Sequence, residues 1–211
     1  MLNYNKSGLV IIVLDVKNAL EKKGYLVSMF DTKEDATNYL NTKINQRGVG
    51  FGGSVTLTEM GLFDVLSQHN TVYWHDAKSE NMSVSEIRLA ANRADIYISS
   101  VNGISKQGEI INIDNTGNRV GALSYGPSIV YLVIGKNKIA NDFASAMDRA
   151  RNVASVLNAK RLKRNTPCVI KGDKCYDCNS EERICRNLSV FWTKPVGIEY
   201  EVILINENLG Y

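Results

Sequence analysis

Apolar residues recur at helical spacing near the start of the chain. They are Leu9, Ile12, Val13, Val16, Ala19 and Leu20. Residues three and four apart lie on the same side of a helix, so these side chains would form one buried face. Gly24 follows where such a helix would end, and glycine accepts the left-handed backbone of a C-terminal cap. The spacing therefore predicts a first helix, although Val10 and Ile11 also allow a strand.

Strands and helices alternate through most of the remaining chain. The pattern predicts strands over residues 25–30, 48–51, 71–74, 95–99 and 129–134. It predicts helices over residues 33–44, 57–68, 84–92, 118–125 and 140–157, and a hairpin that includes 109–114. Strands separated by helices form a largely parallel sheet that is covered on both faces. We therefore predict an α/β fold.

The last part of the chain has a different pattern. Two apolar stretches, 188–192 and 198–205, flank a turn that contains Pro195 and Gly197. Two strands joined by so short a turn are typical of an antiparallel pair. Because no repeat or linker divides the sequence, we predict one domain over residues 1–211, with a cysteine loop, 166–187, as part of it.

The composition indicates the general class of the protein but does not indicate a binding partner. The 211 residues are 44% hydrophobic, which is enough for a sizeable core. The chain has 25 basic and 22 acidic residues, so its charge does not indicate nucleic acid or an acidic membrane. The apolar run at 9–14 is too short to span a membrane and lacks a signal-peptide cleavage site. We expect a cytoplasmic protein, with a homodimer as the default state.

All four cysteines fall in one short loop. They are Cys168, Cys175, Cys178 and Cys185, in the spacing C-x6-C-x2-C-x6-C. Thiols stay reduced in the cytoplasm, so the cluster is more typical of metal ligands than of disulfides. Four thiolates complete a zinc site or hold an iron–sulfur cluster, and the basic residues of the loop would offset their charge. We predict a metal site and favour iron–sulfur over zinc. The alternative is a set of reduced structural thiols or an artefactual disulfide pair.

A glycine loop follows the second predicted strand. Gly52 and Gly53 would let the backbone approach a ligand closely. Ser54 comes next, and Thr56 with Glu59 would form a capping box that starts a helix. Free amides at a helix N-terminus favour an anion, so we predict a phosphate or carboxylate site. Alternatively, the turn needs glycine only for its backbone angles.

A second loop precedes the predicted helix at 118–125. Asn118 begins this helix, and Arg119 offers a forked cation that can hold two anionic oxygens. Alternatively, Arg119 is a surface residue or forms an ion pair. In a parallel sheet the carboxyl ends of the strands meet at one edge. That edge would also receive His75 and Lys138, so we expect one pocket.

His75 is the best acid/base candidate in this pocket. Imidazole titrates near working pH, and the adjacent Asp76 could orient it. Glu59 is a second candidate base. Against this, a lone histidine at the end of a strand is often only a polar surface residue. The sequence contains no nicotinamide or flavin motif.

Several segments together resemble the LUD-domain family of lactate-utilisation-type proteins, formerly a domain of unknown function. They are FGGSVTLTEMGLFDVL (51–66), ADIYISSVNGIS (94–105), GEIINIDNTGNRVGALSYGP (108–127), GKNKI (135–139), RNVASVLNAKRL (151–162) and the cysteine loop. The resemblance covers roughly residues 8–211 and is closest to stand-alone, cysteine-bearing members. It implies the fold of the ribose-phosphate isomerase, glucosamine-phosphate isomerase and CoA-transferase superfamily. It also implies pocket roles for Gly52, Gly53, Ser54, Glu59, Asn118 and Arg119.

The resemblance implies a link to lactate oxidation alongside iron–sulfur protein partners. The chain departs from relatives in two ways, since it has neither a CoA-transferase glutamate motif nor ferredoxin-type cysteine repeats. We therefore predict an anion-binding, four-cysteine protein that is accessory to lactate or organic-acid redox metabolism. One alternative is an enzyme acting on a phosphorylated sugar or an acyl- or CoA-type substrate. Another is a metal-dependent redox sensor or regulator. The sequence leaves open whether the protein is an enzyme.

Overall fold

The computed structural model describes residues 4–77 and 79–211, with side chains from Val13 onward. The strands are β1 (Leu26–Phe30), β2 (Gly48–Phe51), β3 (Thr71–Trp74), β4 (Ile96–Ser99), β5 (Gly103–Ser105), β6 (Ile110–Asp114), β7 (Ile129–Gly135), β8 (Ile139–Ala140), β9 (Asn187–Phe191) and β10 (Glu199–Ile205). The helices are α1 (Tyr4–Lys22), α2 (Lys33–Lys43), α3 (Val55–Glu59), α4 (Leu62–Leu66), α5 (Val84–Arg93), α6 (Asn118–Ser124), α7 (Phe143–Arg149), α8 (Ser155–Arg161) and α9 (Pro167–Lys171). A 3-10 turn, Lys136–Lys138, precedes β8, and a π turn, Ala150–Ala154, joins α7 to α8.

A six-stranded sheet forms the centre of the fold. Its strand order is β1-β10-β7-β4-β2-β3, and every pair of neighbours runs parallel. Helices flank this sheet, as an all-parallel sheet requires, because both of its faces must be covered. The predicted α/β fold is confirmed. A second, mixed sheet in the order β8-β5-β6-β9 packs beside it.

The core lies on the two faces of the central sheet. In β10, Tyr200, Val202 and Leu204 pack on one face, together with Val16 and Leu20 of α1. Alternate residues of β10 pack on the other face with side chains from α2, α3 and α4; they are Ile203 and Ile205. Successive side chains of a strand point to opposite faces, so one buried strand supplies both layers.

The prediction of an antiparallel pair near the C-terminus is wrong. β9 pairs with β6 in the second sheet, whereas β10 lies between β1 and β7 in the central sheet. The turn between them carries the chain from one sheet to the other, and Lys194 fixes it by donating its backbone N–H to the carbonyl of Lys23 at 3.1 Å. The continuous apolar run at the end of β10 is typical of a strand buried on both faces.

Two predicted helices also differ from the structure. The expected helix at 57–68 is divided into α3 and α4 by Gly61, whose φ of +61° interrupts the helical backbone. The expected helix at 140–157 begins only at Phe143, where Asp142 caps it by accepting from the backbone N–H of Ser145. The first helix is confirmed as α1, and Gly24 follows it with φ +88°. None of the described helices is long and apolar enough to cross a membrane.

Candidate functional site

A cavity of about 190 Å³ opens at the carboxyl ends of the parallel strands. Gly53 follows β2, His75 follows β3, Ser100 follows β4 and Lys138 follows β7, and all four line this cavity. The carboxyl ends of parallel strands are the usual ligand edge of such a sheet. The structure therefore brings the ends of four strands to one place, with the predicted residues Gly53, His75 and Lys138 among them.

Positive charge dominates the wall of this cavity. Five of the described residues that line it carry a basic side chain: Arg88, Arg119, Lys138, Arg161 and Arg164. Two carry a carboxylate: Asp76 and Asp114. A cavity with low-dielectric walls and an excess of one sign of charge attracts the opposite ion. The arrangement therefore favours a small anion.

Arg119 holds the floor of the cavity together rather than pointing freely into it. Its guanidinium donates to the carbonyl of Ser100 at 3.0 Å and to Asn112 Oδ1 at 2.7 Å. It also donates to Asn102 Oδ1 at 2.8 Å and to the carbonyl of Ile113 at 2.7 Å. Burial lowers the pKa of Arg119. These four bonds tie the loop after β4 to β6, so Arg119 positions other cavity residues.

Gly52 lies against Arg119 and is not among the residues that line the cavity. A Cβ added there would come within 2.7 Å of Ser99 Oγ and 3.1 Å of Arg119 Cδ. Contacts this short are not tolerated without displacement of the neighbours. Glycine is required at this position because it lets Arg119 pack directly on the backbone.

The start of the glycine-loop helix differs from the prediction. Ser54 is the N-cap of α3 and accepts from the backbone N–H of Leu57 at 3.4 Å. The predicted capping box of Thr56 and Glu59 is therefore wrong. Helices α3 and α6 are also short, with 5 and 7 residues, so side-chain cations supply most of the positive field. Ser54 and Asn118 both line the cavity.

Three donor-capable atoms in the cavity wall have no protein partner among the described residues. They are Arg88 Nε, Arg164 Nε and His75 Nδ1, all of them buried. Buried polar atoms in folded proteins almost always have a hydrogen-bond partner, from the protein, water or a ligand. The three side chains line the cavity, so turning them toward a bound anion would give these buried atoms a partner.

The two acid/base candidates occupy different positions. His75 lines the cavity, and its Nε2 lies 3.7 Å from Asp76 Oδ1, which is too long for a hydrogen bond. Burial lowers the pKa of His75, although the carboxylate of Asp76 acts in the opposite direction. Glu59 is exposed and accepts from the backbone N–H of Gly210 at 2.8 Å. It is not among the cavity-lining residues.

Lys138 is a buried amine at the cavity wall. Its side chain extends from the 3-10 turn after β7, and only 3% of the residue is exposed. Nζ donates to Thr56 Oγ1 and to Ser100 Oγ, each at 2.9 Å. Burial lowers the pKa of Lys138 to about 7, and the charges of Arg149 and Arg119 act in the same direction. Thr56 and Ser100 were not expected as partners of this lysine.

All four cysteines line a second cavity of about 20 Å³. Their thiols are free and partly buried. Cys175 Sγ accepts from the backbone N–H of Asp177 at 3.4 Å and from Arg151 Nη2 at 3.7 Å. Burial raises the pKa of the Cys185 thiol, although Arg183 acts in the opposite direction. Among the described residues, no three His, Cys, Asp or Glu are grouped in a way that could hold a metal ion.

The cavity lined by the four cysteines, here called the cysteine cavity, adjoins the first cavity. We call the first one the cationic cavity because five basic side chains of the described residues line it. Ser155 and Ile184 line both of them. Ser155 begins α8 directly after the π turn, and its hydroxyl donates to the carbonyl of Ala150 at 2.8 Å. π turns within helices occur frequently at functional sites. Here Ser155, the residue that follows the turn, lines both cavities.

Comparison with known proteins identifies the family. No curated protein matches the sequence significantly. The crystal structure of a DUF162 family protein from Deinococcus radiodurans is similar over 93% of this chain and 98% of that chain, with a TM-score of 0.53 and 14% sequence identity. This likeness shows a shared fold. The LUD domain family matches residues 14–205, which is most of the sequence. The chain therefore belongs to the LUD domain family.

Proposed function

We propose that this LUD-domain protein binds a small phosphorylated or carboxylate-bearing metabolite in the cationic cavity. The observation that carries the proposal is the excess of basic side chains on its wall, including two guanidinium groups with an unpartnered Nε. Charge-assisted hydrogen bonds from arginine are strong and match the geometry of carboxylate and phosphate oxygens. An anion would satisfy these donors and neutralise the local charge.

The size of the cavity limits the ligand. Its volume of about 190 Å³ is below the roughly 300–1,000 Å³ typical of pockets for drug-sized molecules. A metabolite of a few carbon atoms fits this space. Such a ligand agrees with a role accessory to lactate or other organic-acid redox metabolism, which the family resemblance implies.

We further propose that the four cysteines bind a metal centre. The support is that all four side chains line one cavity, where a backbone amide and a guanidinium already face Cys175 Sγ. Metals bind the thiolate form of cysteine, and these two groups would offset part of the negative charge of four thiolates. An iron–sulfur cluster would supply electron transfer with iron–sulfur protein partners, whereas zinc would be structural.

A second candidate function is a redox-dependent sensor. The observation that favours it is the shared wall of the two cavities at Ser155 and Ile184. A change at the cysteines would move this wall and thereby alter anion affinity. In that case metal removal would change the dissociation constant for the anion, while the far-ultraviolet circular dichroism would stay that of the folded protein.

Calorimetric titration tests the anion site. Wild-type protein is titrated with inorganic phosphate, pyruvate, lactate and ribose 5-phosphate at low and at moderate salt. We expect at least one of these anions to bind with measurable heat, and binding to weaken as salt rises. Absence of binding by all four would contradict the proposal.

A pair of variants on one helix makes the test specific. Arg88 and Arg93 both lie on α5, but only Arg88 lines the cavity. Arg88→Gln should weaken the bound anion at least tenfold, because a charge-assisted hydrogen bond contributes about 1.5–3 kcal/mol. Arg93→Gln should leave affinity unchanged. Equal effects of the two substitutions would mean that general surface charge, rather than the cavity, attracts the anion.

Metal content tests the cysteine site. Protein purified without oxygen is assayed for zinc, iron and acid-labile sulfide, and its visible absorption is recorded. We expect stoichiometric iron with sulfide and a broad visible band, with stoichiometric zinc as the alternative. Cys178→Ser should abolish the bound metal. Metal-free protein with four titratable thiols would contradict this part of the proposal.

A further inference from the structure

Lys138 has the surroundings of a reactive amine. It is the only cavity-lining lysine among the described residues, and it forms no ion pair within that part of the chain. Its two hydrogen-bond partners are neutral hydroxyl groups, Thr56 Oγ1 and Ser100 Oγ. An ammonium group buried without a carboxylate is costly, so the surroundings favour the neutral amine.

The hydrogen-bond pattern also fits a neutral amine. Ser100 Oγ donates its own proton to the carbonyl of Val133 at 2.6 Å, and Thr56 Oγ1 donates to the carbonyl of Leu209 at 3.2 Å. Both hydroxyl oxygens therefore accept from Lys138 Nζ. A neutral amine has two N–H bonds and one lone pair. The two hydroxyl oxygens accept both N–H bonds of Lys138 Nζ. The lone pair of Nζ is not used in these hydrogen bonds.

Most of the charged groups on neighbouring elements also favour the neutral form of Lys138. Arg149 of α7 and Arg119 of α6 disfavour a further positive charge, whereas Glu59 of α3 opposes them more weakly. Together with burial they lower the pKa of Lys138 to about 7. About half of the molecules would then carry the neutral, nucleophilic form at neutral pH.

We infer that Lys138 forms a reversible imine with the carbonyl group of a small anionic aldehyde or keto acid in the cationic cavity. The inference rests on the proposed anion site, which would hold the acid group while the carbonyl meets the amine. Nζ adds to the carbonyl carbon, and the carbonyl oxygen takes up a proton to give a carbinolamine. Loss of one water molecule then gives the imine. The reaction needs no oxidant or reductant.

Borohydride trapping tests this inference. The protein is incubated with pyruvate, reduced with sodium borohydride and analysed by mass spectrometry. We expect a mass increase equal to that of pyruvic acid less one oxygen atom, located by peptide mapping on Lys138. Lactate has no ketone or aldehyde group for the amine to attack and should give no adduct. The mapping uses the unmodified sequence, so it does not depend on the folding of a variant.

Two lysine variants on the same turn supply the matched comparison. Lys138→Arg keeps the positive charge but cannot form the imine, so it should lose the adduct. Lys136→Arg should keep it, because Lys136 lies outside the cavity. The trapping rate of the wild-type protein should rise with pH through about 7, as the amine loses its proton. A rate that rises only near pH 10 would overturn the inference.

The outcomes separate this inference from the proposed function. Calorimetric binding of pyruvate without any adduct would overturn the imine and leave the anion site standing. Adducts spread evenly over several lysines would also overturn it. Failure of all four titrated anions to bind would remove the anion site, and the inference with it.

Discussion

Replacing Arg119 by methionine should destabilise the protein strongly. Methionine retains much of the apolar length of the side chain but none of its hydrogen bonds. Four acceptors would lose a hydrogen bond: the carbonyls of Ser100 and Ile113, and the side-chain oxygens of Asn102 and Asn112. The Ser100 carbonyl still accepts from Ser99 Oγ, and Asn102 Oδ1 still accepts from the backbone N–H of Ile113. Asn112 is completely buried, so water cannot replace the arginine there without opening the structure.

The size of the effect follows from the two acceptors that would be left without a donor, Asn112 Oδ1 and the carbonyl of Ile113. A buried acceptor left unsatisfied costs about 1–3 kcal/mol, so two at about 2 kcal/mol each cost about 4 kcal/mol. Removing a buried charge offsets part of this cost. We therefore expect the free energy of unfolding to fall by about 3 kcal/mol. That is a large share of the roughly 5–15 kcal/mol typical of folded domains.

Urea denaturation followed by circular dichroism measures this change. Arg119→Lys keeps the charge but not the planar fork, and should show most of the same loss. Arg93→Met removes an exposed arginine and should change the free energy of unfolding by less than about 0.5 kcal/mol. A loss below about 1 kcal/mol in Arg119→Met would refute the reasoning, because relief of the buried charge would then offset most of the cost of the lost bonds.

Three further predictions concern neighbouring features. Gly52→Ala should displace Arg119 and lower the urea midpoint, whereas Gly48→Ala, with open space around it, should change it little. Glu201→Gln should cost about 2 kcal/mol of unfolding free energy, because this buried carboxylate accepts from Ser28, Tyr39 and Lys43. Between about pH 7 and pH 10 Lys138 binds a proton in the unfolded chain but not in the folded protein. The free energy of unfolding of the wild-type protein should therefore increase with pH over this range, relative to that of Lys138→Met. Equal pH dependence of the two proteins would contradict this.

The parallel sheet could be predicted from the sequence because its signals are local. Residues 48–51 and 71–74 are short apolar stretches bounded by polar segments, and both are strands in the structure. The strands with which β9 and β10 pair could not be predicted in the same way. A short turn suggests that its flanking strands are partners, yet here it joins two sheets. Strand partners are chosen by burial in the whole fold, which a local pattern does not contain.

The candidate site was predictable at the level of its loops but not of its contacts. Parallel topology alone brings His75 and Lys138 to one edge of the sheet. The hydrogen bond between Lys138 and Thr56 joins residues 82 positions apart, and the role of Arg119 depends on acceptors in two different segments. No spacing rule connects such residues, because the contacts exist only once the sheet has formed.

The most direct test of the central claim is to locate a bound anion in a crystal. Selenate is a tetrahedral dianion, and its selenium atom can be identified by anomalous scattering. After soaking, we expect the strongest anomalous peak inside the cationic cavity, within hydrogen-bond distance of the Arg88 and Arg164 guanidinium groups. Peaks only on the outer surface, with none in the cavity, would contradict the account.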